Sequence, residues 1–184
     1  MWLLAGLGNP GAEYENTRHN VGFDLVDLLS QRWKVPVDQK GPAFLFGTGD
    51  FLDQPVALVK PMTYMNRSGV ALRRLMNEPE FSPQETLVMY DEVHLPLGTL
   101  RMRRKGSHGG HNGLRSIIES LQTDEAPRLR IGVGEPVGDW ADYVLSPFSK
   151  KEREVIDDAL ITAIDAVETL LKDGIEKAMN QFNR

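Results

Sequence analysis

Apolar positions in this chain fall into short runs and helical stripes that alternate from one end to the other. The run Trp2–Leu7 reads as a buried strand. The polar stretch Gly6–Asn20 follows, fifteen residues of glycine, proline, amides and charges, where a few residues suffice to join a strand to a helix. Helical spacing then returns, with Val21, Leu25, Leu28, Leu29 and Trp33 near one face, and predicts a helix over Phe23–Trp33. Ala43–Phe51 and Val56–Lys60 read as two strands of a hairpin joined by Leu52-Asp53-Gln54-Pro55. Ser68 is placed to cap a helix running to about Met76, with Pro79 and Pro83 closing it.

The second half repeats the alternation. Thr86–Tyr90 is a β-rich run that ends in Asp91-Glu92, and an acid at the carboxyl end of a buried strand lies where α/β sheets bind ligands. Leu100–Arg104 reads as a strand with Arg101 and Arg103 on one face and Met102 opposite. Lys105–Gly113 is a glycine-rich turn, Leu114–Leu121 a helix, and Arg128–Val133 a strand with Arg128 and Arg130 on one face. Ser149-Lys150-Lys151-Glu152 has the pattern of a capping box. It opens a long helix carrying Ile156, Leu160, Ala163, Ile164, Val167 and Leu171 at helical period. Gly174 stops that helix, and Ile175–Phe182 forms a short tail helix. Strands and helices interleave without repeats or low-complexity linkers. The fold class is α/β, one domain over 1–184 with a sheet between helices, mixed because of the hairpin.

Composition narrows the function classes. The chain has 184 residues, 41% hydrophobic and 26% charged, values ordinary for a soluble globular domain. It has no cysteine, which removes disulfides, thiolate nucleophiles and cysteine metal sites and fits a reducing compartment. The N-terminal apolar patch is short for a signal peptide and lacks a basic region before it. No apolar run approaches membrane-spanning length. The reading is a cytoplasmic protein with no membrane partner.

Net charge is −5, yet Val93–Ile118 contains no Asp or Glu and holds Arg101, Arg103, Arg104, Lys105 and Arg115 together with His94, His108 and His111. Such segregation can steer a polyanion to one face. A solvated loop with several arginines fits the charge pattern equally well.

Several motifs compete for the chemistry. Gly6-Leu7-Gly8-Asn9-Pro10-Gly11 follows a strand and matches the dinucleotide fingerprint. However, the third glycine should lie in the start of an amphipathic helix, and here nine residues without apolar spacing follow it. Lys105-Gly106-Ser107-His108-Gly109 approximates a nucleophile elbow but begins with lysine where glycine belongs. His108 and His111 could ligate a metal with Asp91, although no further acid or cysteine completes a shell there. His19 sits between Arg18 and Asn20, so it is not a histidine of an apolar face. A histidine that activates water is the simplest hydrolytic design left, with Asp91 available to fix its tautomer and favour the imidazolium. Asn9, Asn66 and Asn112 each lie in a polar connection and could serve an oxyanion, or simply a turn.

The same residues carry a family resemblance. Gly8-Asn9-Pro10-Gly11-x-x-Tyr14-x-x-Thr17-Arg18-His19-Asn20 resembles the opening signature of bacterial peptidyl-tRNA hydrolases. Lys60-Pro61-Met62-Thr63-Tyr64-Met65-Asn66-x-Ser68-Gly69 is similar to their second block, and Asp91-Glu92-x-x-Leu95-Pro96-x-Gly98 to their third. Gly109-Gly110-His111-Asn112-Gly113-Leu114 and Arg128-Leu129-Arg130-Ile131-Gly132-Val133-Gly134 resemble the fourth and fifth, and Ala178-Met179-Asn180 matches the tail. The blocks span nearly the whole chain in order.

The resemblance implies a three-layer α/β domain around a mixed sheet, with a long C-terminal helix. It implies hydrolysis of the ester between peptide and tRNA in peptidyl-tRNA, without metal or cofactor, by an enzyme that is usually monomeric. By position it makes His19 the base that activates water, Asp91 its orienting acid, and Asn9 the residue that holds the peptide beside the scissile bond. Asn66 and Asn112 correspond to amides that bind substrate and position water or the oxyanion. Tyr14, Tyr64, Met65 and His111 correspond to cleft residues, and Arg101, Arg103 and Arg130 to basic positions suited to tRNA phosphates. His94 stands where relatives often carry an acid, and His108 where a small residue is common. The family also includes organellar intron-splicing factors that bind RNA, which gives a non-hydrolytic alternative.

Overall fold

The computed structural model describes residues 1–183. Seven strands form one sheet: β1 (Trp2–Gly6), β2 (Gln39–Lys40), β3 (Phe44–Phe51), β4 (Gln54–Pro61), β5 (Thr86–Glu92), β6 (Leu100–Arg103) and β7 (Arg128–Gly132). Their order is β2-β3-β4-β1-β5-β7-β6. β4, β1, β5 and β7 run parallel, while β2–β3, β3–β4 and β6–β7 are antiparallel, so the sheet is mixed.

The central strands are apolar on both faces, as strands covered on both sides must be. Leu4, Leu58, Leu87, Met89 and Leu129 pack against α1 (Val21–Trp33), α5 (Lys150–Asp173) and α6 (Ile175–Phe182). Leu3, Ala57, Val59, Val88 and Tyr90 pack against α2 (Ser68–Leu75) and α3 (Asn112–Leu121). The result is three layers, with the long helix α5 on one outer face.

Three local details differ from the sequence reading. The hairpin turn is two residues, not four: Leu52 and Asp53 have φ of 47° and 63°, the left-handed pair that matches the twist of flanking strands, and Pro55 already pairs with Asp50. Ser68 is the first residue of α2 and not its cap. Its hydroxyl donates to the Met65 carbonyl at 2.8 Å. A five-residue helix unforeseen in the sequence, α4 (Trp140–Val144), is capped by Asp139, which accepts the Asp142 N–H. The capping box at α5 forms as expected between Ser149 and Glu152.

Two close approaches position the polar loop. A Cβ on Gly6 would lie 2.1 Å from the Gly22 carbonyl oxygen, and one on Gly22 would lie 2.4 Å from the Met89 oxygen. Glycine at both positions therefore lets α1 begin directly against β1 and β5. The loop folds into two 3-10 turns, Ala12–Tyr14 and Arg18–Asn20, and the second runs straight into α1. At the far edge of the sheet, the Asn183 side chain accepts the Met102 N–H at 2.6 Å and donates to the Met102 carbonyl at 2.8 Å.

Candidate active site

Asp91 reaches the site from the carboxyl end of β5, His19 from the 3-10 turn before α1, and His111 from the residue before α3. His19 Nδ1 lies 2.8 Å from Asp91 Oδ2, and His111 Nε2 lies 2.8 Å from Asp91 Oδ1. Each carboxylate oxygen thus serves one imidazole. His111 Nδ1 also caps α3 by accepting the Leu114 N–H, so its proton resides on Nε2 and is donated to Asp91. A carboxylate only accepts, so His19 carries its proton on Nδ1 and keeps a lone pair on Nε2.

Burial alone would push the Asp91 carboxyl up. The charges and hydrogen bonds of His19 and His111 outweigh it and hold Asp91 well below the usual carboxylate range. Burial pulls His19 down, but the charge and hydrogen bond of Asp91 prevail and raise it. The pair favours an imidazolium at His19.

Among the described residues, His19, Asp91 and His111 are the group close enough to hold a metal ion, with ligand atoms within 4.8 Å of one another. This set differs from the one suggested by sequence spacing, since His19 replaces His108. The facing ring nitrogens each sit at hydrogen-bond distance from a different carboxylate oxygen, an arrangement in which the three groups satisfy one another. His108 instead accepts the Gly110 N–H through Nδ1.

Asn9 is locked on three sides. Its N–H donates to Asn20 Oδ1 at 2.8 Å, its carbonyl accepts Asn20 Nδ2 at 3.0 Å, and its Oδ1 accepts the Met65 N–H at 2.7 Å. The engaged oxygen fixes the orientation of the amide, which leaves Nδ2 as the group Asn9 has to offer. Asn9 is therefore arranged to donate. Asn66 follows Met65 and is exposed, and Asn112 is the exposed first residue of α3. Met65 is buried, and Tyr64 is exposed with its ring edge-on to Tyr14 at 6.3 Å. His19, Asp91, His111 and Asn112 line one cavity of about 320 Å³, while Asn9 lines a different one of about 570 Å³, and the two share no lining residue.

Arg101 and Arg130 are directly opposed on β6 and β7, with Arg103 on the same face. All three are partly exposed. Arg130 is ion-paired with Glu92. Arg128 shares the face but is buried and occupied by the carbonyls of Gly106, Ser107, Asp124 and Ala126.

Four residues that bear on the site had no assigned role in the sequence. Asn20 clamps Asn9. Arg18 is buried and ties the loop to the segment before α5 through Ser146 and Pro147, and to the first turn of α5 through a two-toothed bond to Glu152. Trp140 forms a wall of the cavity beside Gly110 and meets the His94 ring at 5.2 Å. Glu92 holds Arg130. Asn20 and Arg18 lie in the first signature block, but their partners come from as far as 134 residues away. The Asp139–Asp142 spacing was a usable cap signal for the helix that carries Trp140.

A sequence model of the family described as peptidyl-tRNA hydrolase matches residues 3–184. The chain is 48% identical over 184 residues to a peptidyl-tRNA hydrolase of Alkaliphilus oremlandii, covering 100% of both chains. It is 46% identical over 185 residues to that of Bacillus subtilis, covering 100% of this chain and 98% of the relative. The crystal structure of peptidyl-tRNA hydrolase from Acinetobacter baumannii superposes with a TM-score of 0.91 at 36% identity, covering 100% of this chain and 94% of that one.

Proposed function

The chain belongs to the peptidyl-tRNA hydrolase family and hydrolyses the ester of peptidyl-tRNA, and we propose that His19 is the general base of that reaction. His19 Nδ1–H donates to Asp91, and the Nε2 lone pair takes a proton from water as the water oxygen attacks the ester carbonyl. Asp91 stabilises the imidazolium that forms. Donors around the carbonyl stabilise the tetrahedral oxyanion, with Asn9 Nδ2 one of them and the amides of Asn66 and Asn112 completing the set. Collapse breaks the bond to the tRNA 3′ oxygen, which takes the proton back from His19 and leaves as free tRNA. The peptide leaves as a carboxylate.

The observation that carries this reading is the 2.8 Å bond from His19 to a buried carboxylate, with the opposite ring nitrogen unpartnered among the described residues. Tyr14, Tyr64, Met65 and His111 line the peptide's path. Arg101, Arg103 and Arg130 face the tRNA backbone, in a chain whose net charge of −5 otherwise repels it. Among the described residues no helix is long and apolar enough to cross a membrane; the reading is of a monomer acting in the cytoplasm on tRNAs released from stalled or abandoned translation. The relatives compared above are named as hydrolases, and the splicing-factor alternative draws no support from them. Single-turnover cleavage of an N-blocked aminoacyl-tRNA by His19→Ala tests the assignment. Loss of ~10²–10⁴ in rate with tRNA binding retained is expected, and near-native cleavage would overturn it.

A further inference from the structure

Glu92 is the residue after Asp91 on β5, it is buried, and the hydrolytic mechanism leaves it without a task. Its carboxylate faces Arg130, two positions before its own register partner on the neighbouring strand, since Tyr90 is the register partner of Arg130 and Glu92 that of Gly132. Diagonal neighbours of this kind are within reach of long side chains. Both Arg130 Nε at 2.7 Å and Nη2 at 2.5 Å donate to Glu92 Oε1. Glu92 Oε2 accepts the His94 N–H at 3.4 Å. The third nitrogen of the guanidinium, Nη1, takes no partner among the described residues, and 22% of the side chain is exposed.

The surroundings explain why a carboxylate is needed here. Arg101 stands directly opposite Arg130, and like charges in that relation repel. Arg101 Nε is itself buried without a partner among the described residues. Glu92 is the acid that pairs with this arginine face. We propose that Glu92 is a positioning residue for tRNA binding: it fixes two nitrogens of Arg130 so that the third is presented to a phosphate of the tRNA backbone. The inference rests on the reading of Arg130 as a phosphate contact.

Simple charge arithmetic predicts the reverse. Deleting a carboxylate from a basic face would, by Coulomb attraction alone, tighten the binding of a polyanion. The two accounts therefore give opposite signs for Glu92→Ala. If Glu92 positions Arg130, KM for peptidyl-tRNA rises about tenfold, the loss of one charge-assisted bond, and kcat stays near its native value. The salt dependence of tRNA affinity flattens by about one phosphate contact, roughly 0.9 in slope.

The experiment is a double-mutant cycle of Glu92→Ala and Arg130→Ala, read as KM, kcat and salt slope on peptidyl-tRNA. The double variant should match Arg130→Ala alone, because Glu92 acts through Arg130. Glu92→Gln, which keeps an oxygen at the same place and disturbs folding least, should recover most of the affinity. Cleavage of an N-blocked aminoacyl ester of a short CCA oligonucleotide, which lacks the tRNA body, should be indifferent to Glu92→Ala. Tighter tRNA binding by Glu92→Ala, additive losses in the cycle, or a fall in kcat on the short ester would each overturn the proposal. An Arg130→Ala variant with native KM and salt slope would remove the phosphate reading itself. A weakened Arg130→Ala beside a native-like Glu92→Ala would remove only the role of Glu92.

Discussion

Asn20 grips Asn9 by both polar groups of its backbone, accepting the N–H at 2.8 Å and donating to the carbonyl at 3.0 Å. With Oδ1 bound to the Met65 N–H, the amide presents Nδ2. Asn9→Asp would keep the acceptor for Met65 and replace that donor with an anionic oxygen. It should therefore fold as stably as the native protein yet lose ~10²–10³ in kcat, the cost of one oxyanion donor. Asn9→Ala should lose as much activity and also leave the Met65 N–H unpaired. Thermal melts beside cleavage rates separate the two variants. An active Asn9→Asp would mean that Asn9 accepts from the substrate.

With His19 as the proposed base, the His19–Asp91 pair should set the pH dependence of cleavage. His19 is raised above its ordinary value of 6.5, and the neutral ring is the active form. The acid limb of kcat/KM should therefore have its midpoint above 6.5. In Asp91→Asn the counter-charge is gone and burial remains, so that midpoint should move down. The plateau should drop as well, because an amide cannot hold the required tautomer. For stability the signs differ. A raised His contributes fully below 6.5 and loses its contribution as pH rises through the folded value. A lowered Asp contributes above 3.8 and loses it as pH falls through the folded value. The pair should stabilise the fold most between those limits, where the enzyme is least active. Urea midpoints and rates taken across the same pH series check both.

His111 has two duties, and two substitutions divide them. His111→Ala removes the cap of α3 as well as a hydrogen bond to Asp91, and should lower stability by about 1 kcal/mol from the cap alone. Asparagine is a strong capping residue but too short to reach Asp91 in the same way. His111→Asn should recover the stability and leave activity depressed. Equal recovery of both would show that the Asp91 bond contributes nothing to turnover.

Arg18 holds the loop from beneath. Its side chain is 8% exposed and its partner Glu152 28%. Arg18→Ala removes the donor to two carbonyls and to a carboxylate that stays partly open to solvent, so it should cost about 1–3 kcal/mol in a denaturant titration. Because Ser146 and Pro147 lose the same anchor, protease cutting between 139 and 148 should accelerate.

The sequence made the elements legible where apolar spacing was regular, as in α1, α5 and the central strands. It also singled out His19, a titratable residue in an otherwise uncommitted polar connection, and Asp91, an acid at the carboxyl end of a buried strand. What it hid was pairing across distance. Asn20 reads as one more loop amide until its two bonds to Asn9 are seen. Glu92 reads as the second half of an acidic pair, although successive positions on a strand point to opposite faces and separate it from Asp91. The polarity of Asn9 was hidden too, since an amide can donate or accept, and the choice is made by the backbone of Met65.

β6 is the last strand on its side of the sheet, and the outward N–H and C=O of Met102 form a site where a foreign strand could add. Asn183 fills that site with a primary amide that reproduces both halves of a backbone pair. A single side chain at the end of α6 thus acts as an eighth strand one residue long. It ends the growth of the sheet beside Arg101 and Arg103.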